Sequence, residues 1–156
     1  MSHRKTRNRS RLTPAELMAQ YLDDRNDELL DAVVTAAALV ARADGRIEPA
    51  ERGLLVDFLD RNGFLSVFTR SEILDAFERR VRELDEERGA ETAVDSLGRL
   101  AGRSPARLVI GAGKHIAAAN GNSHPVERHM LQLIRHALGR GPAPSAPSLD
   151  GTGAAR

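Results

Sequence analysis

The chain has 156 residues with a net charge of +1, and it contains no cysteine. This length suits one domain with a hydrophobic core, and the lack of cysteine excludes a disulfide framework, a thiolate metal site and a cysteine nucleophile. The longest apolar run, residues 33–41, is much shorter than the ~20 residues of a membrane-spanning helix, and the N-terminus lacks the apolar stretch of a signal peptide, so we expect a cytoplasmic protein with no membrane span.

The N-terminal segment, residues 1–11, is predicted to be a disordered basic tail. It holds five basic residues and no acid: Arg4, Lys5, Arg7, Arg9 and Arg11. Such an arm either attracts phosphate groups and anionic lipids or only keeps the chain in solution. Because no aromatic residues are interleaved for base stacking, we favour the second interpretation and do not expect nucleic acid as a partner.

The body, residues 12–140, is predicted to be one all-helical domain of about seven helices. A short helix is expected over residues 13–23, where Thr13-Pro14 gives a start signal. A long helix over residues 26–43 follows. Because apolar residues cover nearly its whole circumference, it should be central and buried. No segment alternates with a period of two, so we predict no sheet.

Further helices are predicted in the second half of the body. Two apolar stripes at helical spacing are Ile73, Leu74, Phe77, Val81 and Leu84, and then Ala93, Val94, Leu97 and Leu100. Residues 106–119 form a second apolar helix, in which Gly111 and Gly113 each cost ~1 kcal/mol relative to alanine. We infer that the two apolar helices cross closely at these glycines. Residues 141–156, rich in Pro, Gly, Ala and Ser, are predicted to be disordered.

An internal repeat organises this body. Residues 43–55 return as residues 119–131, at an offset of 76 residues and without a gap. Each copy predicts a buried helix, a short turn at Asp-Gly or Asn-Gly, and an amphipathic helix opened by proline. Repeats of this kind fix an architecture, so we expect two helix–turn–helix units related by a pseudo-two-fold axis.

The motif in these turns resembles that of the TerB family of tellurite-resistance proteins. It reads Ala43-Asp44-Gly45 followed by Pro49-Ala50-Glu51, with a weaker second copy at Asn120-Gly121 and Pro125-Val126-Glu127. The resemblance extends over about residues 27–139, and a similar helical unit occurs in the N-terminal region of a membrane-anchored DnaJ-like co-chaperone. It implies an all-helical, non-enzymatic module associated with resistance to tellurite and other stresses. It also implies metal-ligand positions at Asp44, Glu51, Asn120 and Glu127, although Asn120 departs from the usual aspartate.

The residues themselves favour either a cation site or helix caps at these positions. Asp44 lies at a predicted helix C-terminus, where a negative charge opposes the helix dipole and a bound cation would reverse that penalty. Carboxylate, amide and carbonyl oxygens suit Ca²⁺ or Mg²⁺. Alternatively, Glu51 and Glu127 occupy the third helical position after a proline, where glutamate closes a capping box. Glu16 repeats that spacing outside the repeat, so the spacing alone does not indicate a metal.

Other chemistry has little support in the sequence. Four histidines fall in the second copy, at positions 115, 124, 129 and 136, but their spacing does not favour chelation of a transition metal. Residues 111–114, Gly-Ala-Gly-Lys, share composition with a phosphate loop but lie inside a predicted helix, so we discount them. No catalytic motif is present. Two functions remain open: a module that holds a divalent cation, or a helical protein-interaction domain without metal, and we expect the partner to be another protein.

Overall fold

The computed structural model describes residue 13 and residues 27–102, 106–120 and 124–139. Across these ranges the chain forms six α-helices and two short 3₁₀ turns, with no strand, so the predicted all-helical class is confirmed. The helices are α1 (Asp27–Arg42), α2 (Pro49–Arg61), α3 (Arg70–Leu84), α4 (Gly89–Gly98), α5 (Ala106–Ala117) and α6 (Pro125–Ala137), and the 3₁₀ turns are Phe64–Ser66 and Ala118–Asn120. Apart from Thr13, the predicted helix over residues 13–23 and both predicted tails lie outside the described residues.

Helix α1 is the centre of the bundle, as its apolar circumference predicts. Twelve of its 16 residues are buried, including every position from Ala32 to Ala41. It packs mainly against α5 on one side and α3 on another, and it also contacts α2, α4 and α6. The hydroxyl of Thr35, the buried polar residue of α1, donates to the Asp31 carbonyl oxygen one turn earlier at 2.6 Å. The helix therefore buries this hydroxyl with its hydrogen bond made.

The two glycines of α5 make different contacts. A Cβ atom on Gly113 would lie 3.3 Å from Val40 Cγ2 and 3.9 Å from the Ala36 carbonyl oxygen, both on α1, and 2.9 Å from Leu131 Cδ2 on α6. The close crossing of α1 and α5 predicted at Gly113 is therefore present. A Cβ on Gly111 would instead lie 3.3 Å from Phe58 Cζ of α2. The prediction that Gly111 lies at the same crossing is wrong, because positions two apart on a helix point to different neighbours.

The remaining helices cover α1 and complete the two repeat units. Helices α1 and α2 form one helix–turn–helix unit and α5 and α6 form the other, while α3 and α4 lie between them in the chain. Their pseudo-two-fold relation remains a prediction. The largest buried aromatic side chains, Phe64, Phe68 and Phe77, lie on or beside α3 and the first 3₁₀ turn. The described helices include none with the length and apolar character needed to cross a membrane.

One ion-pair network ties α3 to α1. Nη2 of Arg80 donates to both carboxylate oxygens of Asp31, each at 2.7 Å, and Nη1 donates to Glu83 Oε2 at 2.7 Å. The Arg80 side chain is only 17% exposed, whereas its two partners are about half exposed. Nε of Arg80 is buried without a hydrogen-bond partner among the described residues. The network therefore fixes α3 against the first turn and a half of α1.

Candidate functional site

The first acidic turn follows the C-terminus of α1. Gly45 adopts a left-handed conformation with φ of 87°, and its N–H donates to the Arg42 carbonyl oxygen at 2.9 Å, so it closes the turn after the helix. Asp44 is exposed, and its Oδ1 accepts a hydrogen bond from the Arg46 backbone N–H at 2.9 Å. Nη1 of Arg42 donates to the Gly45 carbonyl oxygen at 3.0 Å, while Nη2 is paired with Asp85. Side chains of Asp44 and Arg42 therefore hydrogen-bond to the backbone of the turn.

Glu51 caps the N-terminus of α2. It lies at the third helical position after Glu48, and its Oε2 accepts a hydrogen bond from the Glu48 backbone N–H at 2.8 Å. The residue is only 1% exposed. The capping role predicted from the Pro-x-Glu spacing is thus observed, but the sequence did not predict the burial of this carboxyl group. A buried carboxylate is costly unless it is paired or coordinates a metal.

Glu127 repeats this arrangement at the start of α6. It too is 1% exposed, and its Oε2 accepts a hydrogen bond from the His124 backbone N–H at 3.0 Å. His124 is the N-cap residue of α6 and is exposed. Asn120 is the last residue of the second 3₁₀ turn, but its side chain and residues 121–123 lie outside what the structure describes. The contribution of Asn120 to a site therefore stays a prediction.

The electrostatics of the site centre on Glu51. Burial raises the pKa of its carboxyl group above the ordinary value, and the hydrogen bond from the Glu48 N–H opposes that shift. The negative charges of Asp44, Glu48 and Glu127 raise the pKa further. The fold thus brings two of the other predicted ligands, Asp44 and Glu127, within electrostatic range of Glu51. Glu48 was not predicted as part of this group; its signal in the sequence is its position immediately before Pro49, where an N-cap residue stands.

The described residues limit the kind of metal that these acids can hold. Within residues 27–102, 106–120 and 124–139, no three or more His, Cys, Asp or Glu side chains are grouped closely enough to hold a metal ion. A closed cage of protein ligands, as structural zinc sites require, is therefore not formed there. Hard cations bind differently: Mg²⁺ takes one or two carboxylates and keeps several waters. Asp44 and Glu51 as ligands of such a hydrated ion therefore remain a prediction.

The histidines form no metal site in the described ranges. His115 lies against α2, with its ring centroid 5.5 Å from that of Phe58, and its Nε2 is buried without a hydrogen-bond partner there. His129 is half-buried, while His124 and His136 are exposed. His115 therefore lies at the edge of the core, against α2.

Comparison with known proteins identifies the family. The family model described as Tellurite resistance protein TerB matches residues 30–146, well over half of the 156 residues. Neither the curated proteins nor the solved structures gave a significant match. The matched region contains both helix–turn–helix units, apart from the first three residues of α1, and both capping glutamates. The chain therefore belongs to the TerB family.

Proposed function

We propose that this chain is a non-enzymatic stress-response module of the tellurite-resistance type that binds a divalent cation at its acidic turns. One observation carries the proposal: the Glu51 carboxyl group is buried, and the charges of Asp44, Glu48 and Glu127 all raise its pKa. Burial among like charges disfavours the ionised form of a carboxyl group. A bound cation would reverse this penalty, because it interacts favourably with every one of these acids.

The donor groups favour Ca²⁺ or Mg²⁺. The Glu48 N–H occupies Oε2 of Glu51, so Oε1 is the oxygen that a cation would take, and Asp44 offers Oδ2 in the same way because Oδ1 accepts from Arg46. Two carboxylates with waters completing the shell suit a hard divalent ion. Asn120 and Glu127 would form a weaker counterpart in the second unit, since an amide brings no negative charge.

Thermal unfolding of the full chain tests the cation. An ion that binds only the folded state stabilises it by RT ln(1 + [L]/Kd), which is about 1.4 kcal/mol when the ion is in tenfold excess over Kd. We expect a higher Tm in millimolar Ca²⁺ or Mg²⁺ than in EDTA. Identical melts in EDTA and in both ions would remove the cation from the proposal.

A second candidate is a helical protein-interaction domain without metal. It is favoured by the capping geometry, because Glu51 and Glu127 each accept the N-cap N–H of their own helix and so have a structural reason for their positions. This function predicts that the Tm of the wild type is the same in EDTA and in Ca²⁺ or Mg²⁺. The Tm of the Asp44→Asn variant should be equally independent of the ion. In both cases we propose a cytoplasmic location and another protein as the partner.

A further inference from the structure

We propose that the groove between α5 and α6 binds a small molecule through its diphosphate or triphosphate group, independently of the cation site. The groove has a volume of about 470 Å³ and is lined by Arg107, Ile110, Gly111 and Lys114 of α5 and by Arg135 of α6. That volume lies within the range of roughly 300–1,000 Å³ typical of small-molecule sites. Three of the five lining residues are cations, and none is an acid.

The charge balance of the two helices favours an anion. Together α5 and α6 carry four cations, Arg107, Lys114, Arg128 and Arg135, against one acid, Glu127. Glu127 caps the start of α6 through the His124 N–H and is not among the residues that line the groove. None of the three lining cations forms an ion pair with another residue in the described ranges. Arg80 of α3, by contrast, is held by two carboxylates.

The spacing of the cations favours a ligand with more than one phosphate. Arg107 and Lys114 are seven residues apart on one face of α5, which corresponds to a rise of about 10 Å along the helix. Helix α6 packs against α5, and Arg135 near its end lines the same groove as these two residues. An arginine fork binds two phosphate oxygens, and the lysine ammonium acts as a point charge. A diphosphate or triphosphate spans such a set of donors better than a single phosphate does.

The rest of the lining argues against other occupants. Ile110 is the single large apolar residue in it, so the groove offers little surface to the apolar face of a helix. None of the lining residues is aromatic, so there is no platform on which bases of single-stranded nucleic acid would stack. Gly111 and Lys114 lie within α5, whose backbone N–H groups serve the helix. The recognition is therefore due to the three cationic side chains and not to a phosphate loop.

Calorimetric titration of the full chain in EDTA and low salt tests the groove, with sodium diphosphate and sodium triphosphate as probes. EDTA is needed because both probes chelate divalent cations. We expect Arg107→Gln, Lys114→Gln and Arg135→Gln each to lower the affinity about fivefold, since one exposed charge–charge contact contributes up to about that factor. The triple variant should lose binding, and wild-type affinity should fall as salt screens the groove.

Arg61→Gln is the matched control, because it removes the same charge from an exposed arginine at the end of α2. It should change the affinity less than twofold, and circular dichroism should show every variant to be folded. Titration with ADP in place of diphosphate distinguishes a nucleoside ligand from an inorganic one. If ADP binds as tightly as diphosphate or more tightly, the ligand of the groove is a nucleoside diphosphate. If ADP binds more weakly, the ligand is an inorganic phosphate chain. Absence of triphosphate binding at millimolar concentration, an equal loss in Arg61→Gln, or binding of phosphatidylglycerol vesicles or an oligonucleotide without binding of either probe would overturn the proposal.

Discussion

Glu51 and Glu127, 76 residues apart in the chain, are both buried, and the charge of Glu127 raises the pKa of Glu51. Each glutamate caps its own helix, so a local hydrogen bond holds each carboxyl group at the N-terminus of that helix. The repeat and the packing of its two units bring these carboxyl groups towards each other. The negative charge of Glu127 disfavours the ionised form of the buried Glu51, and a proton or a cation at Glu51 would relieve this electrostatic cost.

The first prediction concerns the pH dependence that follows from Glu51. Its pKa is higher in the folded state than in the unfolded chain, because burial is the largest cause. The stability that this group contributes is therefore complete below the unfolded pKa and is lost as the pH rises through the folded pKa. Glu51→Gln should reduce this decrease of stability with pH. It should also modestly raise the urea midpoint at pH 7 in EDTA, since glutamine still accepts the hydrogen bond from the Glu48 N–H.

Glu78→Gln is the control with the opposite sign. The hydrogen bond from Arg52 lowers the pKa of Glu78, so its stabilisation is present above the unfolded pKa and is lost as the pH falls. We therefore plot the urea midpoint against pH from pH 4 to pH 8. Relative to the wild type, the slope of this plot should change in opposite directions in the two variants. A lower midpoint for Glu51→Gln at pH 7, without a change in its slope against pH, would contradict the electrostatic role of Glu51.

The second prediction distinguishes two effects of the Asp44 charge on stability, namely cation binding and its interaction with the dipole of α1. Asp44→Asn should remove the dependence of Tm on Ca²⁺ or Mg²⁺, because it takes one of the two carboxylates away. In EDTA the variant should be as stable as the wild type or more stable by up to about 1 kcal/mol, because a negative charge at the end of α1 opposes the helix dipole. Differential scanning calorimetry in EDTA and in each ion measures both effects.

Asp60→Asn provides the matched control for Asp44. Asp60 is an exposed acid in the last turn of α2, so its replacement relieves the same conflict with a helix dipole far from the acidic turn. This variant should keep the full ion-dependent rise in Tm. If both variants lose it equally, the ion acts through the overall charge of the protein and not through a site at Asp44.

The features of this fold that the sequence predicts depend on interactions between residues close together in the chain. The continuous apolar surface of α1 and the Pro-x-Glu starts of α2 and α6 are local signals, and they gave the helices and the caps correctly. The burial of Glu51 is not local. Glu72 caps α3 through the same third-position geometry with Thr69, yet it is only half-buried. Which capping glutamate loses contact with water depends on the helices that pack over it, and no spacing in the sequence reports that.

The third prediction concerns Arg80, which holds α3 against α1. Arg80→Met should lower the free energy of unfolding by about 1–3 kcal/mol, between the values for exposed and buried ion pairs, because Asp31 and Glu83 lose their common partner in a half-buried site. Arg80→Lys keeps the charge but not the fork that reaches both partners, so it should retain part of the stability. Urea unfolding at neutral pH measures both variants, and equal stability of the methionine variant and the wild type would show that the network contributes nothing.

The last prediction compares the same substitution at two glycines of α5. Alanine gains about 1 kcal/mol over glycine inside a helix, and this gain applies equally to Gly111 and Gly113. At Gly113 the new Cβ would lie 2.9 Å from Leu131 Cδ2 and 3.3 Å from Val40 Cγ2. The leucine end can move, but a valine in a helix has a stiff side chain, so overpacking of about 1–3 kcal/mol should offset or exceed the gain.

At Gly111 the new Cβ would meet only the edge of Phe58, at 3.3 Å, and this ring is half-buried and has room to shift. Gly111→Ala should therefore be neutral or stabilising, while Gly113→Ala should be neutral to destabilising by up to about 2 kcal/mol, the overpacking cost less the helix gain. The measurement is the difference between the two urea midpoints, in which the helix contribution cancels because both sites lie in the interior of one helix. If Gly113→Ala proves at least as stable as Gly111→Ala, the crossing of α1 and α5 does not depend on the missing side chain at Gly113.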